Sequence, residues 1–91
     1  MNSQMTDTTY QGWTNYETWN VALYINNEFP IYSLACEWVK YQKEEGLPVK
    51  YDTFRHTLSE LFGKKTMDGV DWNDTVIDDT ELDEMLMELV D

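Results

Sequence analysis

From Thr14 to Phe29 the large apolar residues recur at gaps of three and four, with Tyr16, Trp19 and Leu23 on one line and Ala22, Ile25 and Phe29 on the next. That period is the mark of a helix with a broad apolar face. The stretch TNYE at its head fits a capping box, in which the Thr14 hydroxyl accepts the Glu17 amide and the Glu17 carboxylate reaches back. A helix is expected over about 14–28, closed by Asn26, Asn27 and Pro30. The same period returns in Ile31, Leu34, Ala35, Trp38 and Tyr41 or Gln42, and Gly46 before Leu47-Pro48 supplies a stop, which predicts a second helix over about 31–45. Tyr51, Phe54, Leu58, Leu61 and Phe62 predict a third over 51–62, with Gly63 as a left-handed cap. Thr80 with Asp83 reads as another capping pair, and Leu82, Met85, Leu86 and Leu89 make one stripe of a last helix over about 79–90.

Between the third and fourth helices, residues 64–78 read as a loop with a turn at Asp68-Gly69 and one large anchor, Trp72. Val70, Val76 and Ile77 could make only a short extended piece, and no second strand is in view to pair with it. Residues 1–11 are polar and read as a flexible leader, leaving 12–91 as a single domain. Four helical patterns on short connections predict an all-α fold, a compact bundle of about four helices.

Two blocks resemble an uncharacterised family of short phage and bacterial proteins, notably from cyanobacteria and cyanophages. The first is GWTNYETWNVALYINNE, Gly12 to Glu28, which carries the Gly-Trp-Thr-Asn-Tyr-Glu-Thr-Trp-Asn signature. The second is DGVDWNDTVIDDTELDEML, Asp68 to Leu86, where Thr75 stands in place of the proline expected after Asp74. The resemblance implies a mobile-element origin and the placement of the elements. It implies no catalytic residue.

Charge changes the picture more than overall composition does. The chain of 91 residues carries a net charge of −12, from 18 Asp and Glu against six Lys and Arg. All six bases lie between Lys40 and Lys65, whereas residues 68–91 hold ten carboxylates and no base. Binding nucleic acid directly requires cations that displace its counterions, so this balance excludes it, and it disfavours anionic membranes equally. A basic protein surface is the natural complement. Glu81, Glu84, Glu88 and Asp91 share the polar face of the last helix. With Asp71, Asp74, Asp78 and Asp79 from the preceding loop they form the candidate partner-binding surface. Successive acids on a helix rise about 4.5 to 6 Å, and a DNA strand carries one charge per about 3.4 Å, so such a face approaches the charge density of a nucleic acid.

The remaining chemistry is thin. Cys36 and His56 are the sole candidates for a nucleophile and base, and each has a commoner reading, a buried inert thiol and a solvated surface histidine. Zinc needs about four His or Cys ligands and the chain has two. The acids between Asp68 and Asp79 do not fit a helix-loop-helix calcium site, because Val76 occupies the glycine position and Leu82 the final glutamate position. No glycine-rich phosphate loop occurs. No cofactor is expected, and enzyme is the least favoured class. The four tryptophans are expected to be structural, with Tyr16, Trp19 and Leu23 in the core.

The expectation is therefore a non-enzymatic acidic protein that occludes the basic, nucleic-acid-binding site of a host protein as a nucleic-acid mimic. The alternative is a homodimer assembled through the apolar face of the last helix. With one cysteine, no signal-peptide pattern and no membrane span, a cytoplasmic location is expected, the host cytoplasm if the protein is phage encoded.

Overall fold

The computed structural model describes residues 9–90, so most of the expected leader, and Asp91 at the other end, lie outside the described residues. Four helices follow in order: α1 Tyr16–Asn27, α2 Phe29–Glu44, α3 Tyr51–Phe62 and α4 Asp79–Glu88. Among the described residues there is no strand, only two isolated bridges, Tyr10 with Trp13 and Lys65 with Asp71. The all-α bundle expected from the periodicity is the fold that forms.

Helix α1 presents Thr18, Val21, Ala22 and Ile25 to the interior, a run at spacings of three, one and three. Ala22 and Ile25 lie on the inner face as expected, whereas the line of Tyr16, Trp19 and Leu23 is rotated toward the surface. Trp19 and Leu23 are half-buried, Tyr16 is exposed, and Phe29 opens the second helix with 75% of its surface in solvent. Tyr16 and Trp19 instead meet Tyr10, with ring centroids 5.2 Å and 4.8 Å from it and 5.5 Å from each other. Tyr10 gets there through a tight turn whose central residues, Gln11 and Gly12, have φ of +51° and +87°. Positive φ at both positions is what a type I′ turn requires. Tyr10 and Gln11 thus belong to the folded body rather than to the leader.

Helix α2 begins one residue before Pro30, which sits in the first turn, where its missing N–H costs no hydrogen bond. Its end is a Schellman motif: the Leu47 amide donates to Gln42 O (2.7 Å), the Gly46 amide donates to Lys43 O (3.2 Å), and Gly46 takes φ +70°. Helix α3 has the expected bounds and buries Tyr51, Phe54 and Leu58, while Leu61 is left exposed. Gly63 ends it with φ +85° and ψ −177°, a region open essentially to glycine alone and different from the left-handed cap anticipated. In the loop that follows, Trp72 is the anchor expected, 1% exposed, donating its indole N–H to Gly63 O (2.9 Å) while its own carbonyl accepts from the Tyr51 hydroxyl (2.6 Å). Val70 and Ile77 join it in the core and Val76 stays outside. Asn20, fully buried on α1, ties this loop down by accepting from the Thr66 hydroxyl (2.7 Å) and donating to the Asp68 carboxylate (2.8 Å).

The two capping expectations need correction, and the corrected arrangement holds the bundle together. Asn15, not Thr14, caps α1, its Oδ1 accepting the Thr18 amide (2.9 Å). Asp78, not Thr80, caps α4, its Oδ1 accepting the Glu81 amide (3.1 Å). In an ordinary capping box the side chain three residues into a helix returns to the amide of its own cap. Here each crosses to the other helix. The Thr18 hydroxyl accepts the Asp78 amide (2.9 Å) while donating to Asn15 Oδ1 (2.6 Å), and the Glu81 carboxylate accepts the Thr14 amide (2.9 Å). The Thr14 hydroxyl closes the ring by donating to Asp78 Oδ2 (2.8 Å).

Two measurements test the crossed caps. Thr18 is fully buried, so Thr18→Val keeps its shape but leaves the Asp78 amide without an acceptor, at a cost of about 1–3 kcal/mol. Urea unfolding should show that loss, with Thr18→Ser retaining most of the stability; equal midpoints for Thr18→Val and wild type would contradict it. The second test is acid. Hydrogen bonds from the Thr14 hydroxyl first, and from the Glu81 and Thr80 amides, hold the Asp78 carboxyl below its ordinary pKa. Its contribution to stability is therefore complete above the unfolded value of about 3.9 and is lost as pH falls through the lower folded value. Asp78→Asn should flatten this part of the acid limb of a stability–pH profile.

Candidate functional site

The apolar stripe of α4 is turned inward, with Leu82 and Leu86 fully buried and Met85, Leu89 and Val90 packed against the core. Met87 alone among its large apolar residues is exposed. This orientation divides the helix's acids between two flanks.

On the flank toward α2 and α3 the carboxylates meet bases. Asp83 lies 3.5 Å from Lys50 and accepts the Tyr51 amide (2.6 Å), so an acid expected to cap its own helix instead anchors the first turn of α3. Asp79 lies 3.7 Å from Arg55, whose Nε is buried without a hydrogen-bond partner. Burial above all, helped by the charges of Asp83, Asp52 and Asp78, raises the Asp79 pKa, with Arg55 pulling the other way. A raised folded pKa means that ionised Asp79 opposes folding, the reverse of Asp78, and that this penalty disappears as pH falls through the folded value. At the far end, Lys43 of α2 donates to Met87 O (2.8 Å) and to Val90 O, supplying the positive charge that the last turn of α4 lacks.

On the other flank the acids face the turn before α1. Gly12, Trp13, Glu81, Glu84, Met85 and Glu88 line a groove of about 290 Å³, and no lysine or arginine is among them. Trp13 is half-buried and packs against the core, while Glu84 and Glu88 are exposed. Glu81 keeps one oxygen on the Thr14 amide. Met85 accepts a hydrogen bond from Asn26 Nδ2 (3.0 Å), fixing it beside α1.

The eight acids named from sequence therefore separate. Glu81, Glu84 and Glu88 come together. Asp78 is at the crossed caps and Asp79 beside Arg55. Asp71 and Asp74 fold back on their own loop, accepting the amides of Asn73 (2.8 Å) and Val76 (3.1 Å), and Asp91 lies outside the described residues. Trp13 and Met85 were not anticipated as part of this surface. The signal available was the helical register, which places Met85 beside Glu81 and Glu88.

Elsewhere the structure offers less. Cys36 is half-buried on α2 with its thiol in hydrogen-bond contact with Tyr32, and that contact is the main cause of a raised Tyr32 pKa. His56 is exposed on α3. Among the described residues no three His, Cys, Asp or Glu side chains converge as a metal ion would need. Nor, among them, is any helix long and apolar enough to cross a membrane.

No curated protein and no solved structure was found to match the chain. A family profile does match, over residues 6–91, a range that spans α1 and the acidic α4 block alike. The chain belongs to this family, a family of unknown function designated DUF7249.

Proposed function

We propose that the protein is a non-enzymatic acidic binding module that engages a basic surface of a partner protein through the groove between Trp13 and α4. The observation that carries this reading is the asymmetry of α4. Its Asp79 and Asp83 flank is met by Arg55 and Lys50, whereas Glu81, Glu84 and Glu88 line a groove with no base. Unneutralised charge of one sign steers an oppositely charged partner, and Trp13 and Met85 add apolar contact that a purely solvating face lacks.

The partner's surface is one that otherwise receives nucleic acid, and the protein acts by occluding it. Support comes from the rise of about 4.5 and 6 Å between Glu81, Glu84 and Glu88 along the helix, comparable to phosphate spacing. The mimicking surface is narrower than the whole run from Asp71 to Asp91, since Asp78 and Asp79 are engaged within the molecule. The likeness of residues 12–28 to short phage and bacterial proteins supports a setting in a host cytoplasm. Burial of Leu82 and Leu86 favours the groove over a dimer seam on the apolar side of α4.

Position can be separated from net charge by paired variants. Glu84 and Glu88 are exposed and outside the crossed caps, and Asp52 and Glu60 on α3 are exposed acids outside the groove. Both double lysine variants change the net charge equally. At low salt, Glu84→Lys with Glu88→Lys should weaken binding of an arginine-rich dodecapeptide about tenfold, or 1.4 kcal/mol, whereas Asp52→Lys with Glu60→Lys should change it about twofold or less. Duplex DNA should compete for no site on this protein, but an excess of the protein should displace DNA from its partner. Equal losses in the two double variants would reduce the acidic groove to unspecific charge.

A further inference from the structure

A second recess lies at the corner between α1 and α2, closed from below by the end of α3 and the loop after it. Tyr24, Pro30, Ile31, Phe62, Met67 and Trp72 supply its apolar lining, with Glu28, Lys65 and Thr66 also on its wall. It shares no residue with the acidic groove. Its volume is about 180 Å³. That is less than the roughly 300–1,000 Å³ of a small-molecule site, and close to the roughly 150 Å³ of a cavity known to admit a benzene ring. One aromatic or branched side chain fits.

The surroundings favour a protein segment as the source of that side chain. Met67 is 89% exposed at the opening, and Phe29, between the wall residues Glu28 and Pro30, is 75% exposed. Two large apolar groups in water beside an apolar recess form a contact surface larger than the recess itself, and methionine adapts to varied partners. Charge narrows the choice further. Lys43, Lys50 and Arg55 are held against α4. Lys64 and Lys65, adjacent and exposed, form no ion pair among the described residues, and Glu28, also on the wall, lies beyond ion-pair distance of Lys65. Acids also border the recess, Glu28 on its wall and Asp68 against the Tyr24 hydroxyl, so the side on which an acidic residue would be recognised is that of Lys65 and its neighbour Lys64, a local pair of cations in a chain of net charge −12.

We infer that this recess is a docking site for a partner peptide segment in which a large apolar side chain is followed by an acidic one, the apolar group entering beside Ile31 and Trp72 and the acid meeting Lys64 and Lys65. The groove selects bases and the recess selects an acid beside a hydrophobe, so the two sites read different features of a partner.

The probe is the acetylated, amidated pentapeptide Gly-Gly-Phe-Asp-Gly, titrated into the full chain at low salt and followed by NMR. The Met67 methyl, the Ile31 methyls and the Trp72 indole proton should shift together and saturate with a dissociation constant of about 1 mM or tighter. Replacing the peptide's Phe by Gly should abolish the shifts, and replacing its Asp by Lys should weaken binding about two- to fivefold. Lys65→Glu should reverse that acid-over-base preference, a change that mere damage to the fold cannot produce. Met67→Asp, at an exposed position, should remove binding while the remaining spectrum is kept. Absence of shifts in these three residues, or equal shifts with the Gly-centred peptide, would overturn the assignment. So would equal shifts with toluene, indicating a small-molecule site, or shifts that grow with protein concentration alone, indicating a second copy as the occupant.

Discussion

Everything in this bundle depends on two helix N-termini meeting. An α-helix begins with amides that have no partner inside it and with a partial positive charge. Bringing two such ends together would leave several buried donors unpaired and place like partial charges side by side. The chain resolves both problems with four side chains, Asn15, Thr18, Asp78 and Glu81, arranged so that each helix start is completed by the other. Neither end is fully satisfied alone, and the Asp78 carboxylate adds negative charge where the two dipoles converge. The distance in sequence between these residues makes the crossed caps a topological constraint as well as a local one: they fix where α4 returns on α1.

That constraint sets the orientation of α4 and with it the chemistry of the surface. Once Asp78 and Glu81 are held at Thr18 and Thr14, the helical period sends Leu82 and Leu86 into the core. It sends Asp79 and Asp83 toward Arg55 and Lys50, and leaves Glu84 and Glu88 in solvent on the side of Trp13. Lys43, bonded to the carbonyls of Met87 and Val90, holds the other end in the same rotation. The basic middle of the sequence is thus half consumed by the acidic end. Net charge counts all 18 acids alike, whereas the fold decides which of them stay in solvent without a basic neighbour.

Much of the helical framework could be read from spacing. Apolar residues at gaps of three and four, with Gly46 and Gly63 at the ends of α2 and α3, located all four helices within about two residues. The inner face of α1 could be read that way only in part, since Ala22 and Ile25 are buried as expected but Tyr16 is exposed. Tyr16, Trp19 and Leu23 carry more hydrophobic area than Thr18 and Val21, so hydrophobicity alone chose the wrong companions for Ala22 and Ile25. Thr18 and Asn20 are buried with their polar atoms satisfied, Thr18 by its neighbour Asn15 and by Asp78, Asn20 by Thr66 and Asp68, and the last three partners lie on distant parts of the chain. The same blindness affected the caps. TNYE and the Thr80–Asp83 pair both match local capping patterns, yet partners from other helices shifted each cap and sent Asp83 to α3. Of the candidate surface, Glu81, Glu84 and Glu88 were legible from helical register. The roles of Asp78 and Asp79 were not, because only tertiary structure places Thr14 and Arg55 beside them.

The aromatic residues at the start of α1 acquire a physical explanation from the same geometry. Tyr10, Tyr16 and Trp19 pack outside the main core, next to a turn that delivers Trp13 to the groove. Edge-on aromatic contacts each add about 0.5–1.5 kcal/mol beyond area burial, enough to fix a short turn but not to replace a core. The cluster therefore serves to position Trp13 rather than to hold the bundle. The surface beside it combines a positioned tryptophan, a methionine held by Asn26 and Glu81 tied to the Thr14 amide with Glu84 and Glu88 in solvent. Because Trp13, Met85 and Glu81 are already held in the folded chain, less side-chain entropy remains to be lost in any contact made there than on a wholly solvated acidic stripe.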